Sequence, residues 1–386
     1  MKYNFDNLAN RKNTNSYKWD YKKDALTMWI ADMDFKSPPF VVEAIKRRVA
    51  IEAYGYSFID EKYYQAYINW WNRRHHVTFE REWMIYSSGV VASISSMVRS
   101  LTNVGDNILV ISPVYNIFFN SILNNKRHAI ECEFDYKEGR YSLDFEKLEN
   151  LIKDKEIRLL IFCNPHNPVG YIWSKEEIQK LQELAEEYSF YVISDEIHAD
   201  FTKPGVSYNS YLSVQGGEDR CIIALAPSKT FNIAGLQSAC LVIPNEELRN
   251  RVNRGLNNDE VAEPNFFSIQ ADIAAYENGD EWVDQLKEYI QNNKEYLYSF
   301  IENNLPNLKV VKADSLYLVW VDISHYSNDS VAFTNDLYEK TGLFVSEGSE
   351  YHGNGHNFIR INVATSLANI KEGCTRLMKY IQSLKI

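Results

Sequence analysis

Five short apolar runs punctuate the middle of the chain: ILVIS (108–112), LLIFC (159–163), FYVIS (190–194), CIIALA (221–226) and ACLVI (239–243). Each is a near-continuous stretch of apolar side chains rich in β-branched types, the pattern of strands buried on both faces rather than on one. Between the second and third lies SKEEIQKLQELAEEYS (174–189). Ser174 with Glu177 three positions on forms a capping box, and Ile178, Leu181, Leu184 and Ala185 fall on one helical face. This is a strand–helix–strand crossover, and several in succession predict a doubly wound, mostly parallel sheet. The pattern then changes. Residues 281–304 predict a long amphipathic helix, LKVV (308–311) and LYLVWVDI (316–323) strands, 331–341 a helix, FIRINVA (358–364) a strand and 367–384 a last helix. Without long buried crossovers, this part suits a smaller α+β domain, with the change near residue 285 and no Gly/Ser linker to mark it.

Ligands of open parallel sheets sit beyond the carboxyl ends of the strands, so the residues after each apolar run carry the chemical information. Pro113-Val114-Tyr115 follows the first, Asn164-Pro165-His166-Asn167-Pro168-Val169-Gly170 the second, Asp195-Glu196-Ile197-His198 the third and Pro227-Ser228-Lys229-Thr230 the fourth. Upstream, Ser88 and Gly89 precede the helical stretch VVASISSMVRSL. Taken singly, each has an ordinary explanation as a cap, a turn or a core side chain. Together, in this order, they suit pyridoxal phosphate. A desolvated lysine such as Lys229 forms a Schiff base with an aldehyde. A buried carboxylate such as Asp195 keeps a pyridine nitrogen protonated. Tyr115 can stack on the ring, Asn167 can donate to its hydroxyl, and the helix start at Ser88-Gly89-Val90 can hold a phosphate.

Composition narrows the alternatives. The chain has 386 residues, 45% hydrophobic and 24% charged, which is ordinary for a globular protein. A net charge of −11 argues against nucleic acid or an anionic membrane as principal partner. The five cysteines are widely spaced, with no CxxC or Cys/His cluster, so neither a disulfide framework nor a metal site is expected, and a reducing cytoplasm is. The polar, aromatic N-terminus lacks the apolar core of a signal peptide, and no long apolar run predicts a membrane span. No GxGxxG follows an early strand, which disfavours a nicotinamide enzyme.

The motifs SPVYNIF, CNPHNPVG, ISDEIHADF and APSKTFNIAGL, in that order, resemble the aminotransferase superfamily of fold type I pyridoxal-phosphate enzymes. MWIADMDFKSPPFVVEAI (28–45), YGYSF (54–58) and NFFSIQADIAAYENGDEWVDQL (265–286) are similar to its bacterial cystathionine β-lyase or cysteine C–S lyase branch. The resemblance covers nearly the whole chain. It implies an N-terminal segment (1–47) joining the small domain, a large cofactor domain (48–285) and a C-terminal small domain (286–386). It also implies roles. Lys229 would hold the cofactor and shuttle the Cα proton, Asp195 would pair with the pyridinium, Tyr115 would stack, and Asn167 would contact the 3-hydroxyl. Ser88, Gly89, Val90 and Ser228 would line the phosphate. Tyr56 would reach the phosphate of a neighbouring subunit in a homodimer, and Arg360 would clamp the substrate α-carboxylate. His198 stands where many aminotransferases carry a tyrosine. Three departures are visible. Gln237 replaces a phosphate-binding arginine, as is common in the lyase branch. NVATSL and SEGSEYHGNGHNFIR differ from the usual segments beside the substrate. The expected activity is α,β-elimination of L-cystathionine or related cysteine S-conjugates to pyruvate, ammonia and a thiol. The alternative is amino transfer to a 2-oxo acid, and a catalytically idle binding protein would not be expected to keep both Lys229 and Asp195.

Overall fold

The computed structural model describes residues 2–384. Its strands are β1 (Leu26–Met28), β2 (Met84–Ser87), β3 (Asn107–Ser112), β4 (His128–Glu133), β5 (Asp135–Lys137), β6 (Arg140–Ser142), β7 (Ile157–Cys163), β8 (Tyr191–Asp195), β9 (Cys221–Leu225), β10 (Ala239–Val242), β11 (Lys309–Val310), β12 (Leu318–Asp322), β13 (Leu343–Glu347) and β14 (Phe358–Asn362). The predicted apolar runs form the centre of a seven-stranded sheet ordered β2-β10-β9-β8-β7-β3-β4. The pairs from β9 through β4 are parallel, while β10 runs antiparallel to both β9 and β2. Both faces are covered. Ile108, Val110, Leu159, Ile161 and Ile193 pack on one side, and Leu109, Ile111, Leu160, Phe162 and Val192 on the other. That double burial is why these runs are apolar without alternation.

The crossover helix Lys175–Glu187 starts as its sequence dictates. Ser174 Oγ accepts from the Glu177 amide at 3.1 Å, and Glu177 Oε2 accepts from the Ser174 amide at 2.8 Å. The second sheet, β1-β13-β14-β12-β11, draws a strand from each end of the chain, with β1 parallel to β13 and the remaining pairs antiparallel. Residue 285, the expected change of domain, lies within the helix Asp280–Asn304. Among the described residues no helix is long and apolar enough to cross a membrane.

The loop after β7 bridges the two sheets. At its end Gly170 has φ +69°, and an added Cβ would meet Ala313 Cβ and the Ser315 carbonyl oxygen at 2.4 and 3.2 Å. Ser315 Oγ donates to the Gly170 carbonyl at 2.8 Å. Gly170→Ala therefore adds both backbone strain and overlap, and is expected to cost roughly 2–4 kcal/mol, read as a fall in the urea midpoint at unchanged slope.

Candidate active site

In the large sheet, strand order reverses at the boundary between β3 and β7, where such folds open a crevice. The register aligns Cys163 with Asp195 and Asp195 with Ala224, so β7, β8 and β9 end side by side. The loops that follow deliver Asn167, Asp195 and Lys229 to one place. A cavity of about 830 Å³ opens there. Its walls include Tyr115, Asn167, Asp195, His198, Ser228 and Lys229, the helix start at Ser88, Gly89 and Val90, and Gln237 and Arg360. Tyr56 is the one candidate not brought to it: the residue lies wholly exposed on the irregular stretch before the helix Glu61–His75.

Lys229 Nζ donates to the Ala31 carbonyl at 2.9 Å. Burial pushes its ammonium below the usual lysine range, against the pull of Asp32, with Arg360 adding to the fall. A larger neutral fraction makes the amine a better nucleophile and base. Burial likewise lifts the Asp195 carboxyl to about 7, opposed by the Ile197 amide, which donates to Oδ1 at 3.2 Å, and by Lys229. A carboxyl so placed ionises fully only beside a cation. His198 is buried, its imidazole is pushed far below the usual histidine range by desolvation and then by Lys229 and Arg360, and its Nδ1 has no hydrogen-bond partner. It is therefore neutral.

Arg360, on β14, is 3% exposed and forms no ion pair with any described residue. Nη1 donates to Asn167 Oδ1 at 3.1 Å, Nη2 donates to the Trp29 carbonyl at 3.1 Å, and Nε is unpartnered. A buried guanidinium with no ion-pair partner is a strong donor site for a carboxylate. The bond to Asn167 also orients that amide: its oxygen is committed to Arg360, which leaves the N–H donors for another group.

At the opposite end, Gly89 caps the helix Val90–Leu101 with φ +141° and no side-chain cap. The first intrahelical bond runs from the Ser93 amide to the Gly89 carbonyl, so the preceding amides present the positive helix end to the cavity. The Ser88 amide donates to the Val261 carbonyl at 2.8 Å, so of Ser88 it is the hydroxyl that remains to face the cavity. Gln237 places a neutral amide on the same wall.

An amine, a carboxyl awaiting a cation, an oriented amide donor, the Tyr115 ring and an uncapped helix start together fit an aldehyde-bearing, phosphorylated pyridine, and so pyridoxal phosphate. Two supports had no assigned role in the sequence. Residues 29–35 carry the lyase-branch motif, and their carbonyls are gripped in turn. Arg360 holds Trp29, Asn362 holds Ile30, and Lys229 holds Ala31. Lys18 holds Asp32, and Asn232 holds both Met33 and Phe35. Behind the lysine, Asp200 accepts from Thr230 Oγ1 at 2.7 Å and Trp70 Nε1 at 3.1 Å, and pairs with His75 Nε2 at 2.9 Å. The motif spelling signalled the first; of the second, Asp200 and Thr230 lie within ISDEIHADF and APSKTFNIAGL, while nothing local signalled Trp70 or His75.

Comparisons with known proteins agree with this geometry. The family model "Aminotransferase class I and II" matches residues 24–377. The cystathionine beta-lyase PatB of Bacillus subtilis is 36% identical over 381 residues, covering 97% of this chain and 98% of that protein. The crystal structure of cystalysin from Treponema denticola, which contains a pyridoxal 5′-phosphate cofactor, superposes with a TM-score of 0.96 at 34% identity over the full length of both chains. That of a pyridoxal-phosphate-bound C–S lyase from Staphylococcus hominis gives 0.93 at 30% identity, over 98% of each chain. The chain belongs to the aminotransferase class I and II family, the fold type I pyridoxal-phosphate enzymes, and within it to the branch of the cystathionine β-lyases and C–S lyases.

Proposed function

We propose that this chain is a carbon–sulfur β-lyase that uses pyridoxal phosphate to cleave L-cystathionine or a related cysteine S-conjugate into pyruvate, ammonia and a thiol. The observation that carries the reading is one cavity holding both Lys229, with its depressed ammonium, and the unpaired guanidinium of Arg360. Full-length similarity to a cystathionine beta-lyase supports elimination over amino transfer.

Arg360 takes the α-carboxylate in a bidentate pair and so sets which substituent of Cα faces the lysine. Bound pyridoxal phosphate supplies an electron sink for the charge left at Cα. The neutral Lys229 amine removes the Cα proton as general base, the thiolate leaves from Cβ as the Cα–Cβ double bond forms, and water hydrolyses the released aminoacrylate to pyruvate and ammonia. Asp195 would pair as a carboxylate with the ring nitrogen, Asn167 would donate to the ring hydroxyl, and Tyr115 would cover the ring face. His198, whose imidazole burial disfavours as a cation, lines the same cavity and would border the ring without adding charge. Gly89, Val90 and the hydroxyls of Ser88 and Ser228 would hold the phosphate, with Gln237 adding an uncharged amide.

The working unit is a homodimer. Tyr56 is free of its own cavity and wholly exposed, as a residue contributed to a neighbour's phosphate must be. Five free, buried cysteines support a reducing cytoplasmic setting.

The test is to mix holoenzyme with L-cystathionine and no 2-oxo acid. Pyruvate and free thiol are expected. No pyruvate, with amino transfer to an added 2-oxo acid, would make the protein an aminotransferase instead.

A further inference from the structure

The proposed reaction leaves Ser238, a polar residue of the cavity wall, without a task. In the antiparallel pair of β10 and β2, Ala239 stands opposite Ser87. Ser238 therefore comes level with Ser88, at the end of the cavity proposed for the phosphate. Behind it a chain of buried hydroxyls leads to a buried carboxyl. Ser238 Oγ lies 3.4 Å from Tyr63 Oη, and Tyr63 Oη lies 3.1 Å from Tyr67 Oη. Tyr67 Oη is 3.3 Å from Asp272 Oδ2.

Asp272 sits on the helix Ser268–Asn278. Among the described residues no cation forms an ion pair with it, and its Oδ1 has no hydrogen-bond partner. Burial lifts its carboxyl to about 7, opposed by the hydroxyls of Ser238 and Tyr67. The other titratable groups that face it are Tyr63 and Tyr67 from the helix Glu61–His75, Tyr86 from β2, Cys240 from β10 and Tyr276 from its own helix. Burial pushes every one of them above its ordinary range. Asp272 is thus the member of this cluster that changes charge near neutral pH.

That charge decides which way the chain of hydroxyls points, because each hydroxyl has one proton to give. Beside a carboxylate, Tyr67 donates to Asp272, Tyr63 to Tyr67 and Ser238 to Tyr63. Ser238 then turns only a lone pair toward the cavity. Beside the neutral acid the order reverses: Asp272 donates to Tyr67 and Tyr67 to Tyr63. Tyr63 in turn gives its proton to the Ala239 carbonyl, 3.1 Å away. The Ser238 proton is left to donate to an anion in the cavity.

We infer that Asp272 is a positioning residue for the cofactor phosphate: in its neutral acid form it turns the Ser238 hydroxyl outward to donate to that phosphate. The inference rests on pyridoxal phosphate as the cofactor and not on the reaction that follows, so proof of amino transfer would leave it standing. The full-length protein, stripped of cofactor, is titrated with pyridoxal phosphate and with pyridoxal, which lacks the phosphate. Wild type, Ser238→Ala, Asp272→Asn and the double variant are compared. At about pH 6, Ser238→Ala is expected to weaken pyridoxal phosphate binding about tenfold, the size of one hydrogen bond to a charged group. Pyridoxal binding should not change. The carboxyl is a neutral acid below about 7, so the penalty is present there and is lost as the pH rises through that value. By about pH 9 it should shrink to within about twofold. The phosphate and Lys229 titrate in both proteins and cancel in the ratio. Asp272→Asn keeps an N–H donor at every pH, so in that background Ser238→Ala should cost about tenfold at both pH values. Three results would each overturn the assignment: a wild-type penalty equal at both pH values, one that shrinks as much in Asp272→Asn, or a loss of pyridoxal binding that matches the loss of pyridoxal phosphate binding.

Discussion

Replacing Lys229 by alanine is expected to abolish pyruvate formation and, with it, the visible absorbance that pyridoxal phosphate gains when bonded to a lysine amine. The variant loses two functions in one substitution. It loses the nucleophile that anchors the cofactor, and it loses the base that acts at Cα. General-base catalysis alone is worth about 10²–10⁴-fold, so kcat should fall by at least that much. The fold should survive, because the lysine amine contributes a single hydrogen bond, to Ala31, while Thr230 stays tied to Asp200. Non-covalent cofactor binding should persist in weakened form, since Asp195 and the helix start at Gly89 are untouched. Absorbance titration and single-turnover assays separate the two losses. Retention of both the band and the activity would remove Lys229, and with it the proposed reaction, from consideration.

The second large effect is expected from Arg360→Ala. Arg360 is 3% exposed and forms no ion pair among the described residues, so a substrate carboxylate would be its charge partner in a site that excludes water. Removing one member of such a desolvated pair costs about 3–5 kcal/mol, or roughly 10²–10³-fold and more in kcat/KM. Arg360 also orients Asn167 through the 3.1 Å bond to Oδ1, so a smaller shift of the cofactor absorbance should accompany the kinetic loss. Arg360→Lys keeps the charge and loses the planar fork, and should recover only part of the activity. An unchanged KM for amino-acid substrates in both variants would rule out carboxylate binding by this residue. The size of the effect separates it from a packing role: loss of packing alone would lower stability without selecting for substrates that carry an α-carboxylate.

Much of the site was legible because parallel sheets impose a rule. Strands buried on both faces read as apolar runs, and their carboxyl ends border the ligand. Tyr115, Asn167, Asp195 and Lys229 could therefore be collected from four separate places in the chain without coordinates, and the cavity collects the same four. Other features left no such trace. The apolar run 239–243 did not reveal that β10 lies antiparallel to both of its neighbours, because a buried strand has the same composition in either direction. That the Ser88 amide is taken up by the Val261 carbonyl rests on a contact across more than 170 residues that no local pattern announces. Strand β1 is three residues long and is defined by its parallel partner β13; so short a run has no period of its own.

The order of amino acids alone settled where the buried strands of the large sheet and their crossover helix fall, which residues stand at those strands' ends, and which chemistry those residues share. These follow from local periodicity, from capping and from the fixed geometry of a crossover, all of which act over a few residues. Tertiary structure alone decided how those pieces meet. Arg360 reaches Asn167 across 193 positions, and Lys229 reaches the Ala31 carbonyl across 198. Such contacts depend on how two sheets pack and on which buried polar groups must find partners there, a balance struck over the whole core and written in no single stretch of the chain.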